Sequence, residues 1–346
     1  MRDLVVAGGG PVGLAVALHA ARAGLDVEVR EPRAGVIDKA CGEGLMPGAV
    51  AALARLGVDP EGIDLHGIRY VDAGRGGVRE ARADFRAGPG RGVRRTVLHA
   101  ALHDAVARAG VPVVATAVRD LEQRDDHVLV DGEPSRHLVG ADGLHSGVRR
   151  LAGLTDARPH RDPRRYGQRV HLECAPWSAH VEVHWSPVGE AYVTPVAPDL
   201  VGLAVLTADR TPLAELLPAF TTLAPRLAGV AAGKVRGAGP LRQRTRARVA
   251  GRVLLVGDAA GYVDALTGEG LALGLAQAEA AVAAVAAGTP EAYEIAWRRL
   301  TRRHDLLTAG LLRATRAAPV RSHVVPAARR MPWAFGWAVD QLARPA

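Results

Sequence analysis

Three glycines near the start of the chain, Gly8, Gly10 and Gly13, stand in the spacing G-x-G-x-x-G, and Glu31 follows them. Residues of these types in this order can hold a dinucleotide. The first glycine permits a tight turn, the second lets backbone approach a pyrophosphate, and the third lets a helix pack on a strand. A helix starting there aims unpaired N–H groups and a positive dipole end at phosphate. Glu31 suits ribose hydroxyls and would repel a phosphate in their place, so FAD or NAD fits better than NADP. Two further acids lie close to glycines: Asp142 in G-A-D-G, and Asp258 in the stretch G-D-A-A-G-Y-V-D-A-L-T-G-E-G-L at 257–271. Asp142, at a strand's end, suits a cofactor-facing turn, and Asp258 at a strand end can accept from sugar-like hydroxyls.

The elements around these residues follow from pattern. An apolar run at 4–7 predicts a buried strand, an Ala- and Leu-rich stretch to about residue 23 predicts a helix stopped by Gly24, and 26–30 predicts a second strand ending at Glu31. The loop 32–48 carries Lys39, Cys41 and Glu43 close together; with no His or Asn beside it in sequence, Cys41 reads as a packed or cofactor-adjacent thiol. Short helix 49–56 and two strands within 68–85 come next, then a glycine-rich loop at 87–92 with no strand before it. Arg94 and Arg95 open a helix over 96–109, where they either reach the cofactor or are solvated. Strands are expected at 113–117, at 118–122 and 127–130 as a hairpin pair, and at 138–140.

From 165 to 206 the pattern is β, with His180, Glu182 and His184 on one face of H-V-E-V-H-W-S and Tyr192 and Thr194 sharing a face. Such a polar face is either the floor of a substrate pocket or a solvent face; alternation does not choose between them. A helix is expected over 212–231, a buried strand at 252–256, and an Ala-rich helix from about 270 to 287. Basic helices fill 290–346, interrupted at Pro319, Pro326 and Pro332, with Trp333, Phe335 and Trp337 near the end; they read as an amphipathic cover for the core in preference to a membrane-surface helix.

Composition narrows the class. The 346 residues are 48% hydrophobic, enough for one complex domain or two intimate ones. No run of apolar residues is long enough to predict a membrane span. Cys41 and Cys174 make neither a disulfide framework nor a metal cluster, so no metal is expected and a reducing, cytoplasmic setting is. The net charge of +8 is carried by arginine, since Lys39 and Lys234 are the only lysines. With aromatics at 4% and no arginine–aromatic interleaving, a solvated basic surface is expected and a nucleic-acid partner is not.

Three separated stretches, V-V-A-G-G-G-P-V-G-L with Glu31, L-V-G-A-D-G-L-H-S-G-V-R-R (138–150) and L-L-V-G-D-A-A-G-Y-V-D-A-L-T-G-E-G-L-A-L-G-L (254–275), together resemble the FAD-dependent monooxygenases of the para-hydroxybenzoate hydroxylase type and the related geranylgeranyl reductases and flavin halogenases. The resemblance spans roughly residues 1–290. It implies an α/β fold: a doubly wound, Rossmann-like, glutathione-reductase-type FAD domain (1–67, 92–158, 246–290), an inserted mixed β-sheet substrate domain (68–91, 159–245) and C-terminal helices (291–346). It implies that Gly8, Gly10 and Gly13 hold the pyrophosphate and Glu31 the adenosine ribose. Arg95 would contact the phosphate or ribityl region, Asp142 the FAD and the nicotinamide donor, and Asp258 the ribityl chain. Gly268 and Gly270 would lie near the flavin, where a helix dipole favours the anionic reduced form. Pro11, Val12, Val118, Gly143, Gly257, Glu269 and Leu271 complete that set. NADPH or NADH serves such proteins as a transient donor without a domain of its own.

The stretch departs from the hydroxylase pattern at Gly261, where a His is usual, and at Ala265, near a usual proline. C-G-E-G-L near Cys41 leans toward the reductases, yet E-A-Y-V-T-P-V stands where they carry Y-x-W-x-F-P. Halogenases carry W-x-W-x-I-P and a catalytic lysine, for which Lys39 is the one loop candidate. The function expected from this resemblance is NAD(P)H- and O2-dependent hydroxylation or epoxidation of a small apolar or aromatic natural product, through a flavin C4a-hydroperoxide. The alternatives are saturation of prenyl double bonds, and a halogenase-like or non-catalytic flavin protein. His171, His184 and Tyr192 on the sheet and Glu43 in the loop are the candidate acid–base residues; a His or Tyr could deprotonate a phenol.

Overall fold

The computed structural model describes residues 1–74, 76–158, 164–315 and 318–344. The expected boundary at 158/159 abuts residues outside that set, and so does the side chain of Pro319. Two sheets and a small third one organise the chain.

The first sheet is built on the strand Arg2–Ala7, whose Leu4 to Ala7 are buried. It pairs in parallel with Val27–Arg30 on one side and Glu133–Gly140 on the other, and the latter pairs in parallel with Val253–Leu255. Near-continuous apolar runs such as Val253-Leu254-Leu255 suit strands covered on both faces. Helices Pro11–Arg22, Arg95–Arg108 and Gly270–Ala286 pack with this sheet around one core that includes Leu14, Leu102, Leu138 and Ala278. Leu121–Gln123 and Val128–Val130 form the expected hairpin beside Glu133–Gly140. Val118 lies before it, outside any strand, half-buried against the core. The strand expected at 113–117 shortens to Val113–Val114, an exposed edge.

The second sheet has seven strands in the order Arg236–Ala238, Tyr166–Glu173, Leu200–Thr207, Gly189–Ala197, His180–Ser186, Gly67–Gly74, Gly77–Asp84. Its pairings are antiparallel except for His180–Ser186 against Gly67–Gly74, so the sheet is mixed. Two expectations are corrected here. Residues 87–92 are not all loop, because Gly90–Gly92 is a strand between Gly44–Leu45 and Ile63–Leu65. Glycine is needed there: a Cβ on Gly92 would stand 1.7 Å from the Pro195 carbonyl oxygen. Residues 212–231 are not one helix but the short turns Leu213–Leu216, Leu217–Ala219 and Ala224–Leu227, since Pro218 and Pro225 deny the chain N–H groups and clash with a preceding turn. Beyond Gly270–Ala286 come Ala292–Thr315, Ala318–Arg321, Val324–Arg330 and Pro332–Ala343. Among the described residues no helix is long and apolar enough to cross a membrane.

Candidate functional site

The glycine turn crosses the end of the Glu133–Gly140 strand so tightly that side chains are excluded. A Cβ on Gly8, whose φ is +107°, would lie 2.6 Å from the Ala141 carbonyl oxygen, and one on Gly13 would lie 1.9 Å from the Gly8 carbonyl oxygen. Gly10 is different: nothing lies within 4 Å of where its Cβ would stand. It opens onto a cavity of about 520 Å³ together with Pro11 and Val12 at the start of the first helix. A second recess of about 200 Å³ holds Glu31, His99 and His103, and both spaces touch Arg33 and Ile37.

Glu31 ends its strand buried. Its Oε2 accepts from the Gly9 N–H at 2.9 Å, and Arg33 donates to Oε1 from its backbone N–H and Nε at 3.0 and 2.7 Å. Burial pushes this carboxyl up, but the bonds from Arg33 and Gly9 outweigh it and hold the group below its ordinary range. His99, one turn into the helix Arg95–Arg108, accepts from the Ile37 N–H at Nδ1, so Nε2 carries the proton and donates to the Gly9 carbonyl at 2.9 Å. Burial is the largest influence on this imidazole and keeps its pKa below the usual value.

The remaining expected cofactor residues converge on the larger cavity. Arg95, Asp142, Gly143, Gly257, Asp258, Gly268, Gly270 and Leu271 all line it. Asp258 Oδ2 accepts from Lys39 Nζ at 3.0 Å. Asp142 spends Oδ2 on the N–H groups of Gly147 and Val148, at 2.6 and 3.0 Å, the first two of the helix Gly147–Leu151, whose N-cap is Ser146. Val118 and Glu269 are not brought there. Glu269 turns its carboxylate away, to His304 Nδ1 at 2.7 Å. The buried Nε atoms of Arg94 and Arg95 have no hydrogen-bond partner among the described residues. Open space over Gly10, a helix N-terminus, a ribose-accepting acid and an unpartnered guanidinium together fit the pyrophosphate, sugars and flavin of FAD.

The opposite wall belongs to the second sheet, and it carries an apolar stretch of Ile68, Val181, Val183 and Leu206 among polar residues. Strand His180–Ser186 alternates as its sequence requires, but Val181 and Val183 face the cavity and His184 does not. His184 is 2% exposed, with Nε2 3.0 Å from Glu182 and Nδ1 2.8 Å from Thr222 in the segment that covers the far face. The polar face is thus neither a pocket floor nor a solvent face. Tyr192 and Thr194 do line the cavity, as do Ile68 and Tyr70, which two-residue spacing puts on one face. Tyr192 donates to the Leu266 carbonyl at 3.0 Å; burial first, and then Glu190, push its phenol well above the ordinary value. Burial and Glu190 likewise push Tyr70 up to about 12. These phenols stay protonated at neutral pH.

Glu43 sits where the two walls meet. Its φ of 60° is rare for a side-chain-bearing residue. Oε1 accepts from the Arg95 backbone N–H at 2.9 Å, and Oε2 lies 2.7 Å from His171 Nε2. His171 Nδ1 faces Arg169 Nη1 at 3.1 Å and must accept there, which puts the ring proton on Nε2, pointed at Glu43. His171 itself does not line the cavity; Glu43 does. Arg169 in turn bonds Asp38. Cys41 lines the cavity and receives the Glu43 N–H at 3.4 Å. Among the described residues no group of His, Cys, Asp and Glu could hold a metal. Arg169, Tyr70 and Tyr262 line the cavity without having been singled out by sequence; the even spacing of Ile68 and Tyr70 was the available signal.

No family model matches the chain. It is 32% identical to a menaquinone reductase of Mycolicibacterium smegmatis over 87% of this chain and 80% of that protein. The chain belongs to the FAD-dependent oxidoreductases of the para-hydroxybenzoate hydroxylase type, close to the geranylgeranyl reductase-like branch. This flavoprotein is also 30% identical to digeranylgeranylglycerophospholipid reductase 1 of Methanothermobacter thermautotrophicus, over 79% of this chain and 74% of that one. In fold it matches a geranylgeranyl bacteriochlorophyll reductase-like protein of Thermoplasma acidophilum at a TM-score of 0.76 and 18% identity, covering 99% of this chain and 91% of that one. The flavoprotein is an enzyme of the monooxygenase and reductase superfamily, with its sheets arranged as in that neighbour.

Proposed function

We propose that this flavoprotein reduces a carbon–carbon double bond in the prenyl chain of a lipid-soluble substrate. The observation that carries this reading is the apolar wall opposite the cofactor side, where Ile68, Val181, Val183, Leu206 and Leu342 line the cavity. Such a wall recognises hydrocarbon by excluding water rather than by hydrogen bonding. Two relatives named as reductases of menaquinone and of digeranylgeranylglycerophospholipid support it, because both named molecules carry isoprenoid chains.

Gly10, the start of the first helix, Glu31, Arg95, Asp258 and Gly270 would hold FAD, with Lys39 neutralising Asp258 beside it. Bound FAD supplies the two-electron chemistry. The protein's own part is to exclude water, seat the chain along the apolar wall and deliver a proton. Glu43 faces the cavity, held there by the Arg95 N–H and the His171 Nε2–H, and its carboxyl, after taking a proton from water in the cavity, is the group placed to hand that proton to the substrate. Tyr192 keeps its proton and fixes the loop at Leu266. NADPH or NADH serves as the transient donor in this proposal.

The second reading is oxygen-dependent hydroxylation of a phenol. The same Glu43–His171 pair favours it, since a carboxylate at the cavity edge can also take a proton from a ring hydroxyl. Anaerobic turnover separates the two. FAD-loaded protein, reduced by NADPH, NADH or dithionite, is mixed with a prenylated quinone, and the product is weighed by mass spectrometry. A product gaining two hydrogens without oxygen supports the reductase. A product formed only in air and carrying one added oxygen atom overturns it in favour of the hydroxylase.

A further inference from the structure

The last helix carries a surface that neither the core nor the cavity uses. In Pro332–Ala343 the side chains of Phe335 and Val339 are buried, and they pack in one cluster with Ile68, Val181 and Val183. The other side bears Trp333, 75% exposed, and Trp337, 56% exposed, one helical turn apart and therefore on one face. Met331 at the helix start is exposed as well. Two large indoles held in water on one face are costly unless something covers them.

Charge says what the cover is. Residues 306–346 contain six arginines and a single acid, Asp340. That acid is occupied, since Asp340 Oδ2 lies 3.0 Å from Arg86 Nε. Arg329 and Arg330 end the preceding helix just before the indoles, and Arg344 follows the last one; all three are exposed. The tryptophans are thus bracketed by cations with no unpaired carboxylate in the same stretch. A protein partner would have to match both the aromatics and the arginines, whereas an anionic bilayer surface offers an apolar edge for indole beside phosphate for guanidinium.

The same helix is a wall of the site. Its Leu342 lines the cavity, and its Phe335 ring stands 4.6 Å from the ring of Tyr70, another cavity residue. We infer that this face docks the flavoprotein on the surface of an anionic phospholipid bilayer, with Trp333 and Trp337 in the interface and Arg329, Arg330 and Arg344 on lipid phosphates. Docked this way, the cavity lies one helix away from the membrane. The statement about what the docking is for rests on the lipid-soluble substrate proposed above; the docking itself does not.

The test uses the full chain loaded with FAD and two vesicle preparations, pure phosphatidylcholine and a mixture with phosphatidylglycerol. Expected is flotation with the anionic vesicles only, a blue shift of tryptophan emission on binding, and release when salt rises to several times physiological strength. Trp333→Ser/Trp337→Ser and, separately, Arg329→Glu/Arg330→Glu should each lower partitioning by about tenfold or more while flavin content stays at the wild-type level. Absence of wild-type flotation, or flotation of either variant at the wild-type level, overturns the proposal. So does a wild-type dimer that the serine variant converts to monomer, because the face would then bind a second copy. Turnover distinguishes this from a failure of the proposed reaction. Activity on a short, water-soluble prenyl compound should be equal in wild type and the serine variant, and activity on substrate in anionic vesicles should fall only in the variant. A variant that floats poorly yet turns over vesicle substrate at the wild-type rate removes the link to catalysis.

Discussion

Glu43 offers the sharpest test of how the two walls are joined. Its carboxylate is the acceptor for two donors that have no other use: the Arg95 backbone N–H and the His171 Nε2–H. The residue is 3% exposed, so bulk water does not readily replace either bond. Glu43→Ala leaves both donors unpaired, at about 1–3 kcal/mol each, hence about 2–6 kcal/mol in total. Glu43→Gln keeps one carbonyl acceptor and presents an NH2 to the other donor. His171 cannot adapt by moving its proton to Nδ1, because Nδ1 faces the Arg169 guanidinium. The glutamine variant should therefore lose about 1–3 kcal/mol, clearly less than alanine. Backbone strain adds a third comparison. At a φ of 60° glycine is free of the Cβ penalty, so Glu43→Gly should be about 1 kcal/mol more stable than Glu43→Ala despite removing the same bonds. Equilibrium urea unfolding with a common slope measures all three. A glutamine variant with the wild-type midpoint, or a glycine variant less stable than alanine, would refute the reasoning.

The glycines of the first turn should divide. Gly13→Ala drives a methyl into the Gly8 carbonyl and should lower the melting temperature and abolish flavin retention, while Gly10→Ala should melt like wild type and lose flavin affinity alone, read from absorbance after gel filtration. The Glu31 carboxyl titrates below its unfolded value of 4.5, so its contribution is complete above that pH and disappears as pH falls beneath it; Glu31→Gln should flatten the stability curve in that acid limb. His99 has its folded pKa below the unfolded 6.5, so acidification protonates the unfolded chain first; wild type should lose stability below pH 6.5 by a margin that His99→Gln lacks, seen in melting temperature against pH. In the apolar wall, Val183→Phe should raise KM for long prenyl substrates more than for short ones, and an equal change for both would show that the wall does not read chain length.

Much of the cofactor side was legible because its signals are local. A glycine turn, the strand before it and the acid closing the next strand lie within 31 residues, and each glycine answers to a contact made nearby. The substrate wall was half legible. Alternation along H-V-E-V-H-W-S divides the side chains correctly into two faces, yet it carries no information on which face meets the cofactor. The polar one is buried because Glu182 gathers Arg69, Trp177 and His184 beneath the segment that contains Thr222. Gly90–Gly92 escaped notice because two glycines argue against a strand until Pro195 is seen pressing on it. The Glu43–His171 bond joins residues 128 apart, and nothing local to either announces the other. Glu269 sits among flavin-side glycines in sequence, but a helix side chain there has two directions, and His304 takes this one.

The central strand Arg2–Ala7 is flanked by Glu133–Gly140, which is flanked in turn by Val253–Leu255, and the helix Gly270–Ala286 packs back on the first helix. A ribosome making this chain releases the glycine turn early, but the strand end it closes on, at Ala141, follows more than a hundred residues later, and the helix that packs back on the first one, Gly270–Ala286, comes only in the last quarter of the polypeptide. Flavin capture is therefore a late event in the life of the nascent chain. Yellow colour in a preparation reports that synthesis has run past the second glycine junction and that the strand Val253–Leu255 has joined the sheet beside Glu133–Gly140.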